Sequence, residues 1–237
     1  MFRNVAGVAV LLTIANWPVT TKQGVNFEVT THRLPLYVKS FQFLDRHAQY
    51  RQLAAEVTAG STTDSERVAA AFSYTRRSLH QTPDRWPIVD DHILNILIRG
   101  YGQNDQFADV FTMLCTYAGV PAFWQKVRAT GTDVGAIFSF ANIGGRWVVA
   151  DVYEGFLFRN ASGELASPED VARQPAIRPT AAVSLMITSV AYGRILDQLR
   201  TPPVPRPLRV ELQMPWPRLW YETQRAVGLK HDDGSQR

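Results

Sequence analysis

Cysteine is almost missing: Cys115 stands alone in a chain of 237 residues. A single thiol excludes an intramolecular disulfide framework and any cysteine-rich zinc or iron–sulfur site. Long apolar runs are missing too. The longest stretch near the N-terminus, Val5 to Ala15, is far shorter than the roughly 20 residues a helix needs to cross hydrocarbon. Charge of one sign is weak, at a formal +4 with pI near 9.4. From Arg200 onward seven Lys/Arg face four Asp/Glu, so most of the excess sits in the tail, which favours a negatively charged surface there and speaks against a nucleic-acid groove. No internal repeat is visible. Hydrophobic residues at 46% and charged ones at 19% give an ordinary globular balance, and a chain of this size buries an adequate core.

The apolar run after Met-Phe-Arg-Asn supports three readings. It fits the core of a signal peptide, with Thr13-Ile14-Ala15 as a small-residue cleavage site. It fits an uncleaved anchor ending at Trp17, a residue that settles at membrane interfaces. It also fits a buried first element of the core. Residues 1–18 are therefore expected to be a signal-like or anchor segment, residues 19–200 the folded domain, and residues 201–237 a proline-rich basic tail. Export, or inner-membrane anchoring facing the periplasm, is the expectation for location, with the cytoplasm left open.

Residues 19–40 read as extended. Phe41 to Val57 has helical period, with Gly60 as its stop, and Thr63-Asp64-Ser65-Glu66 spells a capping box opening a helix through about Leu79. Asp90-Asp91 are expected to start a short helix that Gly100 ends. The clearest helix carries Phe107, Val110, Phe111, Leu114, Cys115 and Ala118 on one stripe and stops at Gly119. The period then changes to two: Ala122 to Arg128, Val134 to Ile143 and Arg146 to Tyr153 are strands, with Gly144-Gly145 as a two-residue turn, and Phe156 to Arg159 adds a further one. Ser167-Pro168 caps a helix, another runs from about Ala181 to Leu199, and Pro217 to about Val227 forms the last. Six of the 14 prolines fall in residues 202–217. Helices first, then an antiparallel hairpin sheet, then helix and tail make an α+β fold.

The segment Gly102-Gln103-Asn104-Asp105-Gln106-Phe107-Ala108, continuing to Ala118-Gly119-Val120-Pro121-Ala122, resembles the transglutaminase-like superfamily. So does Gly145-Arg146-Trp147-Val148-Val149-Ala150-Asp151, and the likeness covers roughly residues 45–160. It implies a papain-like fold, with a central buried helix packed on an antiparallel sheet. In that family a Cys-His-Asp triad does the chemistry. The helix N-terminus holds the thiolate, a histidine on the facing strand serves as base and acid, and an aspartate orients it. Carried over residue by residue, the cysteine position falls on Asn104, the histidine position among Gly135, Ala136 and Ile137 with Ala136 the best match, and the aspartate on Asp151.

No other residue replaces the missing pair by spacing. Cys115 lies about 16 Å down the same helix on its apolar face. None of the five histidines falls on the hairpin. His92 beside Asp90 and Asp91 is the one suggestive cluster, and adjacent helical residues point apart, so neither a metal nor another cofactor is expected. Asn104 reads either as an N-cap or as a ligand contact, and Asp151 either as a retained site residue or as a partner of backbone amides or Arg146.

The expectation is a bacterial transglutaminase-like domain without its cysteine and histidine: a non-catalytic binding or scaffolding module, placed at the cell envelope. Gln103, Asn104, Asp105, Trp147 and Asp151 are the cleft candidates, for a protein, peptide or glycan ligand. Two alternatives stand. One is a cysteine-independent amidase, peptidase or transamidase of the same fold. The other is a membrane-interface adaptor acting through its termini, with Trp216, Trp220, Tyr221, Arg218 and Arg225 against an anionic membrane or packed back on the domain.

Overall fold

A computed structural model describes residues 2–90, 92–131, 133–178 and 188–229. The chain opens with helix α1 (Phe2–Ala15) and an antiparallel hairpin, β1 (Pro18–Val25) and β2 (Glu28–Pro35), whose register runs from Pro18↔Pro35 to Val25↔Glu28. Pro35 holds extended backbone (φ −60°, ψ 145°), and helix α2 (Leu36–Val57) begins directly after it, five residues earlier than the apolar period suggests. Helix α3 (Asp64–Ser78) is fixed as expected: Thr63 Oγ1 accepts from the Glu66 amide at 3.2 Å, and Glu66 Oε2 accepts from the Thr63 amide at 3.1 Å.

Short strands follow. Strand β3 (His80–Gln81) pairs later with β5, and β4 (Val89–Asp90) adds to the edge of β1, with Gly24 opposite Asp90. Asp90 is therefore a strand residue and does not open a helix. Helix α4 (Ile93–Arg99) has His92 at its N-cap position, and Asp91 lies outside the described residues. Gly100, at φ +73°, ends α4 in the left-handed conformation, and β5 (Tyr101–Gly102) runs parallel to β3.

Helix α5 (Asn104–Tyr117) is the central element: every residue from Gln106 to Cys115 is buried. Strands β6 (Ala122–Arg128), β7 (Gly135–Ile143), β8 (Arg146–Asp151) and β9 (Phe156–Leu157) form one antiparallel sheet in that order. Gly144 and Gly145 make the β7–β8 turn with both φ positive (57° and 87°), the type a two-residue hairpin requires. Helices α6 (Pro168–Arg173), α7 (Ser189–Asp197) and α8 (Pro215–Ala226) complete the chain. The expected helix start at Ala181, with Val183, Met186 and Ile187, lies outside the described residues. What is described begins at Thr188, whose hydroxyl caps α7.

The sheet is covered on both faces, so β7 is buried along most of its length. On one face Ala122, Ala141, Val148 and Ala150 join Phe107, Phe111 and Leu114 of α5, together with Tyr50 and Ala54 of α2 and Val68 of α3. On the other face Phe123, Ala136, Phe138, Phe140 and Val149 meet Val171, Tyr192, Ile195 and Leu196. Small residues line the α5 side, letting the helix sit close, and aromatics fill the α6–α7 side. The proline-rich segment packs along this body, burying Leu208, Val210 and Leu212. The fold is α+β, with a buried central helix between its helical half and an antiparallel sheet.

Helix α1 differs from the rest: Val10, Leu11, Leu12 and Ile14 are all exposed, and Trp17 after it is 62% exposed. No helix among the described residues is long and apolar enough to cross a membrane.

Candidate functional site

The site is built where α5 begins. Gly102 packs closely on Gln106: a Cβ there would lie 3.0 Å from Gln106 Oε1 and 3.1 Å from its Cβ, so a side chain would require Gln106 to shift. Gln106 then ties the entry together: its Oε1 accepts from the Gln103 amide at 3.0 Å, and its Nε2 donates to the Val89 carbonyl at 2.6 Å. The N-cap is therefore Gln103, one residue before the expected Asn104. Asn104 is the first helical residue; its Oδ1 accepts from the Asp105 amide at 2.8 Å, and Asp105 Oδ1 accepts from the Gln106 amide at 2.9 Å. These polar side chains satisfy amides that a helix start leaves open.

A cleft of about 250 Å³ opens beside this turn. Asn104 lines it from α5, Lys126 from β6, residues 133–137 from the loop and first residues of β7, and Asp151, Tyr153 and Glu154 from the end of β8. All three triad-equivalent positions thus meet on one wall. Within β7, Gly135 has no room for a side chain, since a Cβ would lie 2.9 Å from the Val127 carbonyl oxygen. Ala136 shares its sheet face with Phe138, Phe140 and Val149, the face from which Asp151 projects two residues after Val149. Continuing the β7–β8 register by one residue sets Phe138 opposite Asp151, and Ala136 is the next position of β7 on that same face.

Asp151 is 1% exposed and fully engaged. Its Oδ1 accepts from the Glu154 amide at 3.0 Å and its Oδ2 from the Tyr192 hydroxyl at 2.8 Å. Burial pushes its carboxyl up to about 7; the neighbouring Glu154 adds to this, while the two hydrogen bonds and Arg76 oppose it. Arg76 of α3 is fixed in turn by donating to the carbonyls of Val152 (3.2 Å) and Tyr153 (2.6 Å). Arg146 does not reach Asp151; it lies 3.6 Å from Asp170.

The other expected cleft residues are placed elsewhere. Gln103 and Asp105 belong to the helix cap, and Asp105 is held above its ordinary range by burial. Trp147 packs edge-on against Phe123, with ring centroids 5.0 Å apart, because its side chain points to the aromatic layer under α6 and α7. Cys115 is buried in the core and its thiol is pushed well up by burial, so it is a core residue. His47 is bound to the Tyr117 hydroxyl at 3.0 Å, and no histidine lines the cleft. Among the described residues no group of three or more His, Cys, Asp or Glu is placed to hold a metal.

Several residues of this region carry no sequence signal. Tyr192 is 41 positions from the carboxylate it binds. Lys126 lines the cleft and also a second one of about 350 Å³, between β6 and Pro203–Pro205. There Asp109 accepts from Trp124 Nε1 at 2.7 Å and lies 3.4 Å from Arg209; burial pushes its carboxyl up to about 6, with Arg209 opposing.

Chemically, an asparagine amide and an alanine methyl offer neither a nucleophile nor a base. The cleft keeps hydrogen-bonding groups, the carboxyls of Asp133, Asp151 and Glu154, and one cation, Lys126.

Comparison with known proteins places this arrangement. The family model described as the transglutaminase-like superfamily matches residues 51–152, from α2 to just past β8, and so includes Asn104, Ala136 and Asp151. No curated protein matches the chain. Among solved structures, a candidate cysteine protease from Cytophaga hutchinsonii is similar at 17% identity and TM-score 0.40, over 55% of this chain and 45% of that one. A candidate protease from Parabacteroides distasonis ATCC 8503 is similar at 18% identity and TM-score 0.36, over 43% and 22%. A TGase is similar at 12% identity and TM-score 0.38, over 74% and 57%. The chain thus spans less than two thirds of each of these structures. By the family match over residues 51–152, the chain carries a transglutaminase-like domain.

Proposed function

We propose that this domain is a non-catalytic binding module whose cleft, at the position of the superfamily's active site, takes a peptide or glycan ligand at the bacterial cell envelope. One observation carries the reading: the cleft wall presents Asn104 and Ala136 where nucleophile and base are required, and Asp151 is bound to Tyr192 and the Glu154 amide. Retained polar groups on a wall that has lost its reactive atoms suit recognition. The exposed apolar helix α1 supports attachment or export at the envelope.

A second reading rests on Asp151 itself. A carboxyl near 7 in a cleft has the proton affinity of a general acid or base, as a cysteine-independent amidase, peptidase or transamidase would need. Purified protein, its Asn104→Ala and Asp151→Asn variants, and the Asn104→Cys/Ala136→His double variant would be assayed for peptide hydrolysis and amine incorporation. The binding reading expects a silent wild type and gain of turnover in the double variant. Wild-type turnover that Asp151→Asn abolishes would overturn it in favour of the second reading.

A further inference from the structure

Helix α8 is mounted the wrong way round for a helix in water. Trp216, Leu219, Trp220, Thr223 and Val227 fall at i, i+3, i+4, i+7 and i+11 and form one stripe. A surface helix ordinarily turns such a stripe to the core. Here it faces solvent, with Trp216 79%, Trp220 64% and Leu219 57% exposed. The side that packs inward carries Pro217, Tyr221, Glu222 and Gln224, all half-buried.

We propose that α8 docks the protein on an anionic membrane surface, lying in the interface plane with its tryptophan stripe toward the lipid. The length fits: 12 residues span about 18 Å, too short to cross hydrocarbon and suited to lying flat. Tryptophan supplies an apolar body and a polar edge, the combination that settles at headgroup depth. Charge selects the occupant. Glu222 pairs with Arg218 (2.6 Å) and Arg225 (3.9 Å), and Lys39 of α2 lies within electrostatic reach of Arg218, Glu222 and Arg46. Near α8, Lys39, Arg218 and Arg225 outnumber Glu222, an excess of cations. A second copy pairing stripe to stripe would bring two such cationic rims together, whereas anionic headgroups neutralise one. This contact is separate from the cleft and from α1.

The test uses the full chain and vesicles of phosphatidylcholine alone or mixed with phosphatidylglycerol, read by co-sedimentation and by the tryptophan emission shift. Binding to the anionic vesicles is expected, weakened by added salt. Trp216→Gln/Trp220→Gln should reduce it by at least about tenfold with an unchanged circular dichroism spectrum, as both side chains are exposed. A Leu11→Gln/Ile14→Gln variant of α1 should keep the preference for phosphatidylglycerol. The proposal is overturned by absence of phosphatidylglycerol-dependent binding, by equal binding of the tryptophan double variant, or by a concentration-dependent dimer that this variant abolishes. None of these outcomes bears on turnover or ligand binding in the cleft.

Discussion

The Tyr192 hydroxyl donates to Asp151 Oδ2 at 2.8 Å, joining α7 to the end of β8 beneath the cleft. The carboxyl it engages makes the stability of the domain depend on pH. Asp151 is raised from the ordinary carboxylate range to about 7, chiefly by burial, so the folded state binds its proton more tightly than the unfolded chain does. Stability from this group is fully present below about pH 4, the unfolded value, and is lost as pH rises toward 7. The loss is on the order of 4 kcal/mol. Asp109, raised to about 6, acts in the same sense over a narrower window. Urea titrations at pH 5 and pH 8 should show the wild type weaker at pH 8, and Asp151→Asn should remove most of that difference, leaving the part due to Asp109. Equal pH dependence in wild type and variant would contradict the assignment.

Removing the donor while keeping the ring sharpens the argument. Tyr192→Phe leaves Asp151 Oδ2 without its hydroxyl partner and takes away a bond that favours the ionised carboxylate. The carboxyl should rise further, and the loss of stability should extend to higher pH. At pH 8 the variant should be about 1.5–3 kcal/mol less stable than wild type, the range for a hydrogen bond to a charged group, with a smaller difference at pH 5. A difference that does not change with pH would mean that the hydroxyl serves packing alone.

The entry to α5 separates a structural residue from a site residue. Gln106 is 7% exposed and bridges the Gln103 amide and the Val89 carbonyl, so Gln106→Ala leaves the part-buried Gln103 amide without this partner, while Arg99 still donates to the Val89 carbonyl, and should cost about 1–3 kcal/mol. The Asn104 side chain accepts from the adjacent Asp105 amide and lines the cleft. Asn104→Ala should cost less than about 1 kcal/mol, with its effect appearing in ligand binding. Denaturant midpoints of the two variants check this directly. A larger loss for Asn104→Ala would make it a fold residue.

The elements most legible in the sequence were those fixed by local rules. The capping box at Thr63–Glu66, the apolar stripe of α5 and the Gly144-Gly145 turn each depend on neighbours within four residues or on one period. Asn104, Ala136 and Asp151, the positions the family resemblance picks out, line one cleft because a helix start and two strands meet there. The cap falls on Gln103, one residue before Asn104, because a glutamine three positions on, and not the side chain best suited to capping, closes the turn. Asp90 suits a helix opening by residue type, but strand addition to β1 across 66 positions decides its backbone, with Gly24 opposite. Tyr192, Lys126 and Arg209 left no local trace at all. Their roles come from how α7, β6 and the proline-rich segment pack, and periodicity carries no information on that.

Cys115 offers a probe of that packing. It is the only thiol of the chain, it is fully buried against α2, α3 and the sheet, and its pKa is driven up by burial, so it is neither accessible nor ionised in the folded protein. Labelling by iodoacetamide at pH 8 should therefore require opening of the α5 core. In the native protein the thiol should stay unmodified over hours, and in urea its reactivity should track the unfolding curve. Phe107→Ala, which empties a fully buried ring site in the same cluster, should lose about 3–5 kcal/mol and accelerate labelling in proportion to the population unfolded. Asn104→Ala should leave the rate near that of wild type. Fast labelling of the native wild type would instead mean a low-pKa, accessible thiol, and would return Cys115 to consideration as a nucleophile.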